Sequence, residues 1–328
     1  DDPELPLDGQ TEKLTLNLDE GSWLSLDVAA DDGSLVFELL GDIYRLPIGG
    51  GEAVALTQGM GFDSQPKLSP DGSKIAFISD RDGTINLWVM DSDGSNPKKL
   101  SSGRQNRLIS PTWTPDGKAV VVSKLGADSS FELFYLDGSG SVQLSDDGGK
   151  GFEGIGASFT PDGRYMYYSV IRRSPFRSFP NAQIHRFDRT TGDLEQITQG
   201  HGGGARPEIS PDGRYMAYIS RLENTTQMRL RDLVTGADRT LVAEVQHDTQ
   251  EIGRPPSRDI YPGYSFTSDS PSVLCTCEGH IKRVSVADGS ISDVPFMANA
   301  ELDIGPDLTS KYNLETGPVQ ARIVHNPS

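Results

Sequence analysis

A short turn recurs along this chain at a spacing that leaves few architectures open. Pro-Asp-Gly occurs at 70–72, 115–117, 161–163 and 211–213, and degenerate copies are centred on Asp32 ("AADDGSLVFELL") and Asp269 ("FTSDSPSVLCTC"). The aspartates at 32, 71, 116, 162, 212 and 269 are separated by 39, 45, 46, 50 and 57 residues. Self-similarity at about 40–50 residues is the signature of four-stranded units stacked around an axis.

One unit shows how the repeat folds. In 68–101, "LSPDGSKIAFISDRDGTINLWVMDSDGSNPKKLS", Pro fixes φ while Asp and Gly accept a tight turn. The segment "KIAFIS" alternates polar and apolar side chains, as a strand does. A second turn leads into "INLWVMD", and a third into "PKKLS", whose Pro97 suits an outer edge. Third strands repeat as "DIYRLPI", "FELFYLD", "QIHRFDR", "QMRLRDL" and "HIKRVSV". No segment carries a sustained 3.6-residue apolar period, and Gly305 and Pro306 interrupt the nearest candidate, 298–318.

The expected fold is therefore all-β: a six-bladed β-propeller of four-stranded antiparallel blades, six rather than seven. The blades are placed at 22–59, 64–103, 108–148, 153–200, 205–244 and 259–297. Residues 1–21 form an N-terminal segment, in which "KLTLNL" at 13–18 is a candidate ring-closing strand paired with the last blade. Residues 298–328 are either a linker or the start of a further repeat.

Charge narrows the partners. The net charge is −17, whereas a phosphate-tracking surface needs clustered Lys and Arg. The one basic knot, "IRRSPFR" at 171–177, reads as an insertion loop. Neither nucleic acid nor an anionic membrane surface is expected as a partner, and no apolar run is long enough for membrane insertion. Cys275 and Cys277 sit at i and i+2 of an apolar strand, on one face but poorly placed to bridge, and read as small core fillers.

The units "SPDGSKIAFISDRDGTINLWVMDSDGSNPKKLS" and "SPDGRYMAYIS" resemble the TolB-type propeller repeat across nearly the whole chain. "DEGSWLSLDVAADDGSLVFELLGDIYRLPIGGGEAVALTQG" is also similar to the amino-terminal propeller of large secreted bacterial proteins that continue into a metal-dependent amidohydrolase domain. The resemblance implies a periplasmic or extracellular setting, a protein partner or another domain of a longer parent chain, and a fragment of an amidohydrolase-like protein. "ARIVHNPS" resembles the opening of one more repeat.

The chemistry of that parent would need a His-x-His pair with further ligands to hold a metal. The histidines are His185, His201, His247, His280 and His325, no two within four residues, so no metal or other cofactor and no catalytic residue is assigned. The aspartates of the repeated turns read as acceptors for their own backbone. The expected function is a non-catalytic module for protein interaction or substrate gating. The alternative is a propeller enzyme, lyase or hydrolase, with a metal site at the channel mouth near His201 in "GHGGGARPE". Two long connections, 171–183 and 245–262, carry residue types that anchor interfaces. With His201, they supply the candidate binding residues Phe176, Arg177, Phe179, Arg254 and Tyr261.

Overall fold

A computed structural model describes residues 11–103, 107–125, 130–144, 154–171, 182–200, 202–222, 225–245 and 258–305. Among them every regular element is a strand. After β1 (Glu12–Leu18), the first blade comprises β2 (Leu26–Val28), β3 (Ser34–Leu39), β4 (Asp42–Pro47) and β5 (Gly51–Ala55). The second comprises β6 (Asp63–Leu68), β7 (Lys74–Ser79), β8 (Asn86–Asp91) and β9 (Lys98–Lys99). The third comprises β10 (Leu108–Trp113), β11 (Ala119–Lys124), β12 (Ser130–Tyr135) and β13 (Ser141–Leu144). The fourth comprises β14 (Ile155–Phe159), β15 (Tyr165–Ile171), β16 (Ala182–Asp188) and β17 (Leu194–Gln196). The fifth comprises β18 (Ala205–Ile209), β19 (Tyr215–Leu222), β20 (Thr225–Asp232) and β21 (Asp238–Val242). The sixth comprises β22 (Ser265–Phe266), β23 (Ser272–Cys277), β24 (His280–Ser285) and β25 (Ile291–Asp293), followed by β26 (Phe296–Ile304). Each blade is an antiparallel meander, giving the six-bladed propeller expected from the repeat.

The core is divided among the blade interfaces. Ile75 and Phe77 of β7 pack toward the first blade with Val36 and Ile43, while Ala76 and Ile78 pack toward the third with Val120 and Val122. The same division recurs between the third and fourth, fourth and fifth, fifth and sixth, and sixth and first blades. "KIAFIS" is therefore not polar on one face and apolar on the other. From Ile75 to Ser79 every residue is buried, because a blade interior meets a neighbour on both sides.

The repeated turn behaves as its residue types dictate. Asp71, Asp116, Asp162 and Asp212 each accept a hydroxyl hydrogen bond from two residues earlier (Ser69, Thr114, Thr160, Ser210) at 2.5–2.6 Å. Each also accepts a backbone N–H from two residues later at 3.0–3.2 Å. These bonds, led by the one from Ser69, pull the Asp71 carboxyl down to about 2. In the first blade the equivalent acceptor is Asp31, which takes the Gly33 N–H at 2.9 Å. Asp32, on which the degenerate copy was centred, occupies the left-handed position (φ 52°) that Gly72 fills in the second blade.

The ring closes in a way the sequence did not suggest. The inner strands of the sixth and first blades meet directly: Leu26 N–H donates to the Gly263 carbonyl at 3.0 Å, and Gly263 N–H to Ser25 Oγ at 3.0 Å. β1 does not pair with the last blade. It pairs antiparallel with β26, which itself runs parallel to β5, so the first sheet has the order β1-β26-β5-β4-β3-β2. Phe296, Ala298 and Ala300 of β26 point inward and are buried, and the Phe296 ring lies 5.0 Å from that of Phe37.

Candidate binding site at the channel mouth

Each inner strand carries side chains onto the propeller axis, and a repeated irregularity aims them. The pairing of the first two strands slips between Ser64 and Lys67, Ile109 and Thr112, Ile155 and Ser158, and Ala205 and Glu208. At each slip one residue is left-handed: Gln65, Ser110, Gly156 and Arg206, at φ 54°, 54°, 67° and 54°. Such bulges bend the strand and turn a backbone N–H out of the ladder. Here that N–H finds a side chain outside its own strand. Gln65 donates to Glu38, Ser110 to the Gln65 Oε1, Gly156 to Ser123 Oγ and Arg206 to Ser169 Oγ. The left-handed residue thus stitches each of the second to fifth blades to the preceding one.

The axis itself is filled by charge. Lys67 Nζ lies 3.0 Å from Asp27 Oδ1 and 2.8 Å from Glu208 Oε1, joining the first, second and fifth blades. Burial disfavours the ammonium, but Asp27 and Glu208 outweigh it and hold the Lys67 pKa above its ordinary value. One layer away, Arg206 Nε lies 2.9 Å from Asp259 Oδ2, which also accepts Ser110 Oγ at 2.6 Å. Asp259 comes from the connection between the fifth and sixth blades and is buried. Asp27, Lys67 and Glu208 lie on the first strands of their units ("SLDVA", "QPKLS" and "RPEIS"), which a propeller turns toward its axis, and the structure brings them together. Nothing in the pattern pointed to Asp259.

Where outer strands cross to the inner strands of the next blade, the channel opens beside a cleft of about 640 Å³. Its walls include Leu16 and Leu18 of β1, Trp23, Leu39 and Phe62. The Arg258 guanidinium sits 5.4 Å from the Trp23 ring and 5.8 Å from the Phe62 ring. Glu38 also lines the cleft, and burial pushes its carboxyl up to about 7 against the opposing pull of the Gln65 N–H and of Arg258. On the opposite face, the prolines of the repeated turns surround a shallower hollow of about 280 Å³, bordered by Lys67 and Glu208.

The candidate residues fall unevenly on this geometry. Tyr261 is 0% exposed, donates its hydroxyl to the Thr276 carbonyl at 3.0 Å and packs edge-on against Tyr264, so it belongs to the sixth-blade core rather than to a surface. Phe176, Arg177, Phe179, His201 and Arg254 lie outside the described residues. Among the described residues, no three His, Cys, Asp or Glu side chains are grouped to hold a metal ion. Cys275 and Cys277 are buried and unbridged, with Sγ atoms 3.9 Å apart.

Comparison with known proteins agrees with this geometry. Residues 27–181 match the model of the tricorn protease N-terminal beta propeller domain. A TolB homolog of Chlorobium luteolum is 28% identical over 152 residues, 46% of this chain and 32% of that protein. This chain is a β-propeller similar to those of TolB and of the tricorn protease. The uncharacterized peptidase YuxL of Bacillus subtilis is 28% identical over 185 residues, 56% of this chain and 25% of that protein. The chain thus spans a third or less of the length of these two relatives. Among solved structures, the tricorn protease superposes with a TM-score of 0.64 at 18% identity, covering 89% of this chain and 27% of that one, which is a likeness of fold.

Proposed function

We propose that this TolB-type propeller is a non-catalytic interaction module that docks a protein partner, or another domain of a longer parent chain, on the face bearing the channel mouth. The observation that carries the reading is the cross-channel lock. Lys67, Asp27, Glu208, Arg206 and Asp259 are all engaged in ion pairs with one another on the axis, so their charges are committed to holding blades together. Docking on the surface leaves that lock intact, whereas passage of a chain through the axis would break several buried ion pairs.

In the finer form of the proposal, the parent is an amidohydrolase-like protein of the periplasm or the exterior, and the loops bearing Phe176, Arg177, Phe179 and Arg254 contact its other domains. Neither nucleic acid nor a membrane interior is a partner. The test is to express the propeller and the remainder of its parent separately and titrate one with the other. Replacing Phe176, Arg177 and Phe179 together by Ala, or Arg254 by Ala, is expected to weaken association at least tenfold in one of the two cases. Unchanged affinity in both overturns the reading.

A further inference from the structure

The cleft between β1 and the first blade has a composition that the docking reading does not use. Leu16 and Leu18 project from β1 at alternate positions toward Trp23, Leu39 and Phe62, giving an apolar enclosure. Its volume of about 640 Å³ lies within the range of roughly 300–1,000 Å³ that small-molecule sites occupy.

One guanidinium at its wall makes no ion pair within 4 Å among the described residues, although it acts on the Glu38 carboxyl from farther off. Arg258 rests on the faces of Trp23 and Phe62, and among the described residues no carboxylate lies within ion-pairing distance of it. Stacking on two rings fixes the plane of a guanidinium while leaving its N–H edge free to accept a bidentate oxyanion.

We propose that this cleft binds an apolar monocarboxylate, its carboxylate held by Arg258 and its body lying against Leu16, Leu18, Trp23, Leu39 and Phe62. One negative charge fits the one guanidinium among the described residues of the cleft wall, and the net charge of −17 disfavours polyanions. Glu38, at the cleft wall, keeps a proton to about pH 7 and in that form does not repel the ligand. Such a carboxylate is available either from a free aliphatic or aromatic acid or from the C-terminus of a peptide ending in an apolar residue. Arg258 shares the 245–262 connection with Arg254, but the docking test alters Phe176, Arg177, Phe179 and Arg254 and the ligand test alters Arg258 alone, so failure of one reading is distinguishable from failure of the other.

Calorimetric titration of the whole chain with octanoate, indole-3-acetate and an N-acetylated tripeptide ending in Leu tests it, with octanol and the tripeptide amide as uncharged counterparts. At least one acid is expected to bind with Kd below about 1 mM, and at least tenfold more tightly than its uncharged counterpart. Arg258→Met, which retains bulk over the two rings, is expected to remove that preference. Binding by the peptide acid alone assigns the source as a chain end, by the free acids alone as a small molecule, and by both as either; all three support the site. No binding by any acid, or equal binding of acid and uncharged counterpart, overturns it. If Arg258→Met fails to fold, the comparison within the unaltered protein still decides.

Discussion

Lys67 on the second blade and Glu208 on the fifth, three blades apart in a ring of six, meet on the propeller axis with 2.8 Å between Nζ and Oε1. The contact is a brace across the full diameter, and Asp27 completes it at 3.0 Å. Replacing Lys67 by Met strands two buried carboxylates, and the expected loss is about 3–5 kcal/mol. The triple variant Asp27→Asn, Lys67→Met, Glu208→Gln carries no stranded charge and is expected to be clearly more stable than Lys67→Met alone. Urea unfolding of the two variants decides; equal stability would show that the carboxylates are not the source of the loss.

Asp162→Ala removes the acceptor for the Thr160 hydroxyl and the Arg164 N–H. One turn of six is loosened, so the expected cost is about 1 kcal/mol, with binding of any partner unchanged. A variant of normal stability that no longer binds would give this aspartate a role the turn does not explain.

Stability is expected to fall as pH rises from about 4 to above 7. Burial, joined at Asp42 by the charge of Asp63, pushes the carboxyls of Glu38 and Asp42 up to about 7. The folded protein therefore keeps protons that the unfolded chain releases at its ordinary carboxylate values, and that advantage is gone once pH passes the folded values. The paired substitution Glu38→Gln, Asp42→Asn is expected to flatten the slope between pH 5 and 8. A slope unchanged in the variant would place the titration elsewhere. Asp71 works in the opposite sense: its carboxyl is depressed to about 2, so its contribution is present above about pH 4 and lost as pH falls through 2.

Neither thiol is expected to react with a water-soluble disulfide reagent while the protein is folded, since Cys275 and Cys277 are both buried. Two thiols are expected to titrate on denaturation, with or without prior reductant. A rapid reaction in the native state would mean that the interface between the fifth and sixth blades opens.

Phe296→Ala is expected to cost about 3–5 kcal/mol, because the ring is buried against Phe37. Deleting residues 1–18 is expected to cost much less, because most of β1 is exposed. If denaturant midpoints ranked the two changes the other way, β1 rather than β26 would hold the first blade's outer edge.

What the sequence could reveal follows from how local each signal is. Pro-Asp-Gly and the strands flanking it are complete within a dozen residues, so the six units were legible. Asp27, Lys67 and Glu208 could be placed on inward-facing strands, but their meeting depends on a ring that closes over nearly the whole chain. β26 was obscured because its buried face is largely Ala298 and Ala300, small residues that give little apolar period, and its partners lie some 250–290 residues away. Tyr261 is an aromatic residue in a long connection, a type and place that suggest an interface anchor. The same connection instead sends Tyr261 and Asp259 inward and leaves Arg258 at the cleft, and no periodicity distinguishes the three.

The pairing of β1 with β26 also sets how the molecule responds to force. Glu12 stands opposite Ile304, and neighbouring antiparallel residues are about 5 Å apart. Tension applied at those two points acts across the strands, peeling the ladder one pair at a time from Glu12 toward Leu18 instead of shearing every bond at once. The direct contacts between Leu26 and Gly263 lie off that line of pull. A stretched molecule would therefore shed β1 at low load while its six blades remained a closed disc, and the Leu16 and Leu18 wall of the cleft would leave with it.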